Sequence, residues 1–282
     1  GGEIAVALHH RVGHLVLDSM EEVGLAARSV RSLREAGVYG PEETGAVMLR
    51  LTTGVHAGGH EYISTAHEDQ KFGLSIASGT ALRAIEETLA AEHLELVGLH
   101  SHIGSQILSL DAFAAAAESI LVLRAEASTT FGVTIPEIDF GGGYAVRYTV
   151  LDDVPPAPLD FAKALAQAVT THVVETGLAA PTVSIEPGRS IAAPSTVTLY
   201  TVGTIKTIQL DEGSRRYVSV DGGMSDNIRP ALYGSDYTAR IANRKGSDET
   251  KLCRVVGMHC ESGDIVVNEV RLPADIKRGD IL

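Results

Sequence analysis

Between Gly1 and about Ala193, short β-branched runs alternate with amphipathic helical stretches, and this alternation restricts the possible folds more than any other feature of the chain. The first clear run is Leu15–Leu17, and Ser19 with Glu22 then forms a capping-box pattern typical of a helix start. Repeated strand–helix units are typical of a parallel sheet covered by helices. The sequence therefore predicts an α/β fold with a (β/α) barrel in residues 1–195.

After Pro194 the pattern changes to β runs separated by turns, with no convincing helix. The predicted strands are Val197–Ile208, Tyr217–Val220, Arg254–Met258 and Ile265–Val270. We therefore place a domain boundary near residue 195 and predict a β-sandwich-like domain in residues 196–282.

Charge and cysteine content exclude several functional classes. The formal net charge of -13, with no run of Lys and Arg to offset it, argues against nucleic acid or an anionic membrane as partner and favours a small-molecule substrate. No uninterrupted apolar stretch of about 18 residues is present, so no membrane span is predicted. Cys253 and Cys260 have a spacing that suits neither a zinc site nor a disulfide framework, which predicts a reducing, cytoplasmic location.

The segment Ser184–Arg189 ends a predicted strand with charged groups and a rigid turn. The apolar run Thr182–Ile185 predicts a buried strand that delivers Glu186 to its carboxyl end, where parallel α/β folds place their chemistry. Gly188 leaves its backbone amide open to an anion or a ring. Glu186 has two interpretations: an ion pair with Arg189, or a carboxylate that keeps a heterocyclic nitrogen protonated.

Two more predicted strand ends carry candidate anion-binding groups. In Gly104–Ser105 and in the triplet Gly141–Gly143, backbone N–H groups can approach a phosphate closely, and Ser105 adds a hydroxyl donor. The triplet alone fits a tight turn equally well, and it lacks the last glycine of the dinucleotide fingerprint. His102 is either a hydrogen-bonded structural residue or an imidazole that stacks on a planar cofactor.

The predicted β domain contains a second group of candidates. Arg229 and Tyr233 have the chemistry to hold a substrate carboxylate, and Cys260 is either a proton donor or a buried, inert thiol. Three further residues, His56, His60 and His67, cluster in a loop that we interpret as solvated, and no metal site is predicted.

Taken together, these motifs resemble the diaminopimelate decarboxylases, pyridoxal-phosphate enzymes of the alanine racemase-like fold type III. The motifs follow the family order over nearly the whole chain: His100–Gln106, Gly141–Gly143, Glu186–Arg189, Asp221–Gly234 and Cys260–Asp264. The resemblance implies a (β/α)8 TIM-type barrel followed by a β domain, and conversion of meso-diaminopimelate to L-lysine and CO2 with pyridoxal 5'-phosphate.

The resemblance also implies a role for each matching residue. His102 would stack on the pyridine ring and Glu186 would face its nitrogen. The remaining cofactor-binding residues would be Ser105, Gly143, Gly188 and Arg189. Substrate-binding residues would be Arg189, Arg229, Tyr233 and Glu261. Cys260 would protonate the carbon that has lost CO2, and Cys260 and Glu261 would reach the cofactor from the partner subunit of a homodimer.

One family motif has no counterpart in this sequence, the Tyr-Ala-x-Lys-Ala segment whose lysine binds the cofactor. We expect the chain to be an incomplete record of an enzyme, with its opening strands, an internal segment and its carboxyl end absent, because a barrel without its opening strands would expose unpaired edges. The alternative is a catalytically inert homologue that acts as a regulatory binding partner. Among active relatives, the other interpretation is an ornithine, arginine or carboxynorspermidine decarboxylase, but Arg229 suits an anionic substrate end.

Overall fold

The structure is a computed structural model, and it describes residues 2–55, 71–211 and 213–282. The chain divides into two compact units. Unit 1 comprises Gly1–Ala145 and Pro155–Ala192, and unit 2 comprises Val146–Val154 and Ala193–Leu282. The histidine cluster of the predicted solvated loop lies outside the described residues. Among the described helices, none is long and apolar enough to cross a membrane.

Unit 1 contains one parallel sheet with helices between its strands. Its elements in chain order are α1 Gly2–His9, β1 Leu15–Leu17, α2 Met20–Glu35, β2 Gly45–Thr52, β3 Leu74–Ser75, α3 Thr80–Ala90, β4 Leu94–Ser101, α4 Leu110–Phe131, β5 Glu137–Asp139, α5 Pro158–Thr176, β6 Thr182–Ser184 and α6 Gly188–Ala192. The strands pair in the order β1-β2-β4-β5-β6, with β3 beside the end of β2, and every pairing is parallel. The predicted α/β fold class is confirmed.

Local capping explains where the first long helix begins. The Ser19 hydroxyl accepts the N–H of Glu22 at 3.3 Å, and the Glu22 carboxylate accepts the N–H of Asp18 at 2.6 Å. Glu22 thus reaches one residue further back than in the predicted capping box, but both side chains still satisfy amides at the helix start. Gly37, with φ of 70°, follows the helix and lets the chain leave it.

The core of unit 1 lies between this sheet and its helices. Leu49 of β2 and Leu99 of β4 are fully buried, as are Ala26 of α2 and Ile85 of α3. Burying one leucine side chain contributes about 2 kcal/mol. Most residues of β2 and the last four of β4, Gly98 to Ser101, are buried, as expected of parallel strands that are covered on both faces.

The outermost strand, β6, differs from its prediction. The apolar run Thr182–Ile185 was predicted to be buried, but Val183 is 43% and Ile185 47% exposed. Within the described residues β6 pairs only with β5, so one edge has no neighbouring strand to cover these side chains. The run also leaves the strand at Ser184, one residue before Ile185.

Unit 2 is built on one four-stranded mixed sheet. Its elements are β7 Val202–Leu210, β8 Gly213–Val220, α7 Arg229–Tyr233, β9 Thr250–Val256 and β10 Ile265–Pro273. The strand order is β10-β9-β8-β7, in which β8 and β9 are parallel and the other pairs antiparallel. We predict a sandwich-like domain here, which would contain two packed sheets. Among the described residues of this unit, the structure shows one sheet. The prediction of no helix here was wrong, because the five residues of α7 are too few to show a periodic apolar face.

Candidate functional site

The loops after β4, β5 and β6 meet at the carboxyl edge of the parallel sheet. Glu186, after β6, donates its N–H to the carbonyl of Gly141, after β5, at 2.9 Å. Gly142 donates its N–H to Nδ1 of His102, after β4, at 3.2 Å. One backbone–backbone and one backbone–side-chain hydrogen bond therefore connect the three strand ends that the sequence singled out.

The glycine triplet allows these loops to approach one another. A Cβ on Gly142 would lie 2.6 Å from the Glu186 carbonyl oxygen and 3.4 Å from Cε1 of His102. Gly143 has φ of 106°, and a Cβ there would lie 2.5 Å from the Gly104 carbonyl oxygen. The triplet is thus needed for close contact between neighbouring loops as well as for a turn.

The Glu186 carboxylate has a buried histidine beside it. Nε2 of His100 lies 3.5 Å from Oε2 of Glu186, and His100 is 5% exposed, whereas the Glu186 side chain is half-exposed. Of the two interpretations of Glu186, an ion pair with Arg189 or a carboxylate facing a heterocycle, the first concerned its partner, and the partner that the structure shows for its carboxylate is His100. Arg189 donates from Nη2 to the Ser105 hydroxyl at 2.9 Å. The site therefore has a carboxylate in one place and a guanidinium with a hydroxyl in another.

His102 has the protonation state that suits stacking on a ring. Burial, together with the positive charge of Arg50, lowers the pKa of His102 below its usual value, so the imidazole is neutral at neutral pH. Nδ1 accepts the Gly142 N–H, and the single proton of the neutral ring is consequently on Nε2.

Sequence reasoning missed several polar groups at this edge. Arg50 of β2 lies over the Phe72 ring, 4.5 Å from its centroid, and 3.5 Å from a carboxylate oxygen of Asp18. Asp139, the last residue of β5, forms with His100 and Glu186 a group whose ligand-type atoms lie within 4.8 Å of one another. Each missed residue occurs near or directly after the carboxyl end of a parallel strand, which is the signal that would have found it.

Tyr144 is a further missed residue, and it stays protonated. Burial raises its pKa to about 12, with smaller contributions from the carboxylates of Asp139 and Glu186. Its ring stacks on Phe113 with centroids 4.8 Å apart. A neutral phenol therefore lies near the two carboxylates.

The donor set of this edge fits a planar, nitrogen-containing ring that carries a phosphate. A carboxylate, a neutral imidazole and a guanidinium–hydroxyl pair lie in loops that the glycine triplet allows to approach one another. Within the part of the chain that the structure describes, eight buried side-chain N or O atoms have no hydrogen-bond partner, and three of them belong to β4 and to the loop after β5: Nδ1 of His100, Oγ of Ser101 and Oη of Tyr144. His100, Asp139 and Glu186 are also residue types that ligate metals, and their ligand-type atoms lie close together.

Unit 2 carries the remaining candidates on one short helix and one loop. The Arg229 guanidinium lies 5.1 Å from the centroid of the Tyr233 ring, and both residues belong to α7. Cys260 is an exposed free thiol, whereas Cys253 is free and buried. Glu261 is exposed and accepts the N–H of Gly263 at 3.2 Å. The predicted residues thus divide between the units. His102, Ser105, Gly143, Glu186, Gly188 and Arg189 lie in unit 1, and Arg229, Tyr233, Cys260 and Glu261 lie in unit 2.

Comparison with known proteins shows which proteins this chain is similar to. Residues 2–193 match the family described as "Pyridoxal-dependent decarboxylase, pyridoxal binding domain". The chain is 48% identical over 280 residues to the diaminopimelate decarboxylase of Corynebacterium efficiens and 46% identical over 285 residues to that of Mycobacterium tuberculosis. It resembles the crystal structure of the Helicobacter pylori diaminopimelate decarboxylase complexed with L-lysine, with a TM-score of 0.82 and 29% identity.

These relatives are longer than the chain. The matches cover 99% of the chain in all three cases, but 59% of the C. efficiens protein, 62% of the M. tuberculosis protein and 64% of the H. pylori chain. The chain therefore spans about three fifths of the length of the relatives that it matches.

Proposed function

This chain belongs to the pyridoxal-dependent decarboxylases, and we propose that it converts meso-2,6-diaminopimelate to L-lysine and CO2 as a carbon–carbon lyase. The observation that carries this proposal is the arrangement at the carboxyl edge of the parallel sheet. The Glu186 carboxylate lies beside His100, and the Glu186 N–H is bonded to the glycine triplet. The same triplet donates an N–H to the neutral imidazole of His102. The identity of 46–48% to diaminopimelate decarboxylases supports the substrate.

Pyridoxal 5'-phosphate, when bound, supplies a ring that accepts the electron pair released as CO2 leaves. In our proposal Glu186 holds a proton on the ring nitrogen, which makes the ring a better electron acceptor. The neutral imidazole of His102 lies against the ring. Ser105, Gly143, Gly188 and Arg189 bind the phosphate and orient the cofactor.

We assign substrate recognition and the final proton transfer chiefly to unit 2. Arg229 binds the distal carboxylate of the substrate, because a guanidinium can hold a carboxylate through two parallel hydrogen bonds. Tyr233 and Arg189 support that carboxylate, and Glu261 binds the distal ammonium group. The Cys260 thiol donates its proton to the carbon that has lost CO2.

We further propose a homodimer in which Cys260 and Glu261 complete the partner's site. The family resemblance supports this arrangement. In this proposal residues 1–195 form the cofactor-binding domain, and residues 196–282 carry the substrate and acid residues.

The proposed reaction is tested by comparing turnover of meso-diaminopimelate with turnover of ornithine in the protein purified from its complete coding sequence. An enzyme whose Arg229 binds an anionic substrate end should release lysine and leave ornithine unchanged. Preference for ornithine would contradict the proposed substrate, and no turnover of either amino acid would contradict the proposed reaction.

The proposed acid is tested with Cys260→Ala. We expect turnover to fall about 10²- to 10⁴-fold, the usual contribution of a positioned general acid, while binding of pyridoxal phosphate measured by absorbance stays unchanged. Cys253→Ala is the matched control, since this thiol lies buried in the same unit. Equal losses of turnover and cofactor binding in Cys260→Ala would identify a structural thiol instead.

A further inference from the structure

Asp264 is a buried carboxylate in the loop between β9 and β10, and it has no catalytic assignment above. The residue is 3% exposed. Its Oδ1 accepts the N–H of Met224 at 2.6 Å, and its Oδ2 accepts the N–H of His259 at 2.8 Å. No Lys, Arg or His side chain in the described ranges forms an ion pair with it. Backbone amides from two separate loops therefore stabilise this buried charge.

Both loops are shaped to admit the carboxylate. A Cβ on Gly223 would lie 2.6 Å from Oδ1 of Asp264, and a Cβ on Gly257 would overlap Oδ2. The backbone of Asp264 adds two more contacts, because its N–H donates to the Glu261 carbonyl at 3.0 Å and its carbonyl accepts the Gly257 N–H at 2.9 Å. The two glycines leave room for the Asp264 carboxylate, and the surrounding backbone N–H groups donate hydrogen bonds to it.

The two loops that Asp264 connects are those that carry the unit 2 candidates. We call residues 221–229 the substrate loop, since it leads into α7 with Arg229, and residues 257–264 the acid loop, since it contains Cys260. Met258 donates its N–H to the Gly222 carbonyl at 3.0 Å, and Nε2 of His259 lies 2.8 Å from the Ser225 hydroxyl. The second bonded amide, that of His259, directly precedes Cys260.

We propose that Asp264 is a positioning residue that fixes the backbone of Cys260 and Glu261 relative to the substrate loop. A hydrogen bond to an ionised carboxylate is roughly twice as strong as one between neutral groups, and each loop contributes one such bond. Asp264 acts through these amides and does not touch substrate. Its catalytic consequence rests on the proposed function, because it assumes that Cys260 is the acid.

Asp264→Asn is the most direct perturbation. Asparagine has nearly the same shape, but only one of its two terminal atoms accepts a hydrogen bond, and its NH2 group would face a backbone N–H. One loop is then no longer held. We expect amide hydrogen exchange in both loops to accelerate at least about tenfold, since a bond to a charged group is lost and the loops are bonded to each other.

Asp280→Asn is the matched control. Asp280 is 2% exposed in the same unit, and its carboxylate accepts from Arg244 and from the Lys277 N–H, so it holds a different part of the unit. This variant should lower the unfolding midpoint without selective acceleration of exchange in the substrate and acid loops. If Asp264→Asn prevents folding, Gly223→Ala tests the same contact, because its Cβ would displace Oδ1.

The catalytic readout separates positioning from general destabilisation. In folded Asp264→Asn, pyridoxal-phosphate binding should be unchanged, and kcat for meso-diaminopimelate should fall more than KM rises. Two exchange results would overturn the loop connection. In the first, exchange in the two loops stays within twofold of the parent protein. In the second, exchange rises throughout unit 2, with no more effect on the two loops than in Asp280→Asn. Selective loop opening with unchanged kcat would overturn the positioning role. If the parent protein released no lysine, the proposed function would fail, while hydrogen exchange would still test the loop connection.

Discussion

Replacing Arg124 with methionine is expected to destabilise unit 1 through the loss of three hydrogen bonds. Arg124 of α4 is 1% exposed. Its Nε donates to the Ile135 carbonyl at 2.7 Å, its Nη1 lies 2.9 Å from Nε2 of His172, and its Nη2 donates to the Ala179 carbonyl at 2.8 Å. One side chain therefore connects α4 to α5 and to the segments that enter β5 and β6.

The expected loss follows from which acceptors remain buried. Ile135 and His172 are buried, so methionine leaves both acceptors unsatisfied, at about 1–3 kcal/mol each. Ala179 is exposed, and water can replace the guanidinium there. The methionine side chain occupies much of the arginine stem volume, and removal of a buried charge offsets part of the loss. We therefore expect a net loss of about 2–4 kcal/mol in the free energy of unfolding.

Urea unfolding at neutral pH, followed by far-UV circular dichroism, measures this loss, because all long helices described in the structure belong to unit 1. Arg83→Met is the control. Arg83 is exposed on α3 and donates to the hydroxyl of half-buried Thr80 at 3.0 Å, so its replacement should change the free energy by no more than about 0.5 kcal/mol. A loss in Arg124→Met no larger than in Arg83→Met would refute the reasoning.

Two further predictions concern pH and the glycine triplet. Burial and the adjacent charge of Arg124 lower the pKa of His172, against a smaller opposing effect of Glu175, so the unfolded chain binds this proton more readily than the folded one. Urea titrations between about pH 7 and pH 5 should therefore show that the free energy of unfolding falls as the pH drops below about 6.5. His172→Gln should make this fall smaller, and an equally steep fall in His172→Gln would contradict the role of His172. Gly142→Ala should abolish pyridoxal-phosphate binding, measured by absorbance, because its Cβ would lie 2.6 Å from the Glu186 carbonyl oxygen. Gly13→Ala, where a Cβ meets nothing within 4 Å, should bind normally, and normal binding by Gly142→Ala would show that the close approach is not required.

Local sequence signals predicted the elements of unit 1 well, because helix caps and strand runs are encoded within a few residues. Leu15–Leu17 is a strand with the predicted bounds, and Ser19 begins the following helix. Burial of β6 could not be predicted in this way, since it depends on strands that are distant in sequence. Val183 looks like a core residue in the sequence, and its exposure results from the position of β6 at the edge of the described sheet.

The same limit applies to the site, and His100 shows why. From the sequence we single out His102 as a candidate, and His100 lies two residues earlier in the same motif. Because β4 ends at Ser101, His100 remains within the buried strand and faces the Glu186 carboxylate, whereas His102 lies in the loop and accepts the Gly142 N–H. One imidazole therefore supports the carboxylate and the other is neutral beside the glycines. The motif predicts that His102 and Glu186 belong to one site, but only the position of the strand end shows which histidine lies beside the Glu186 carboxylate.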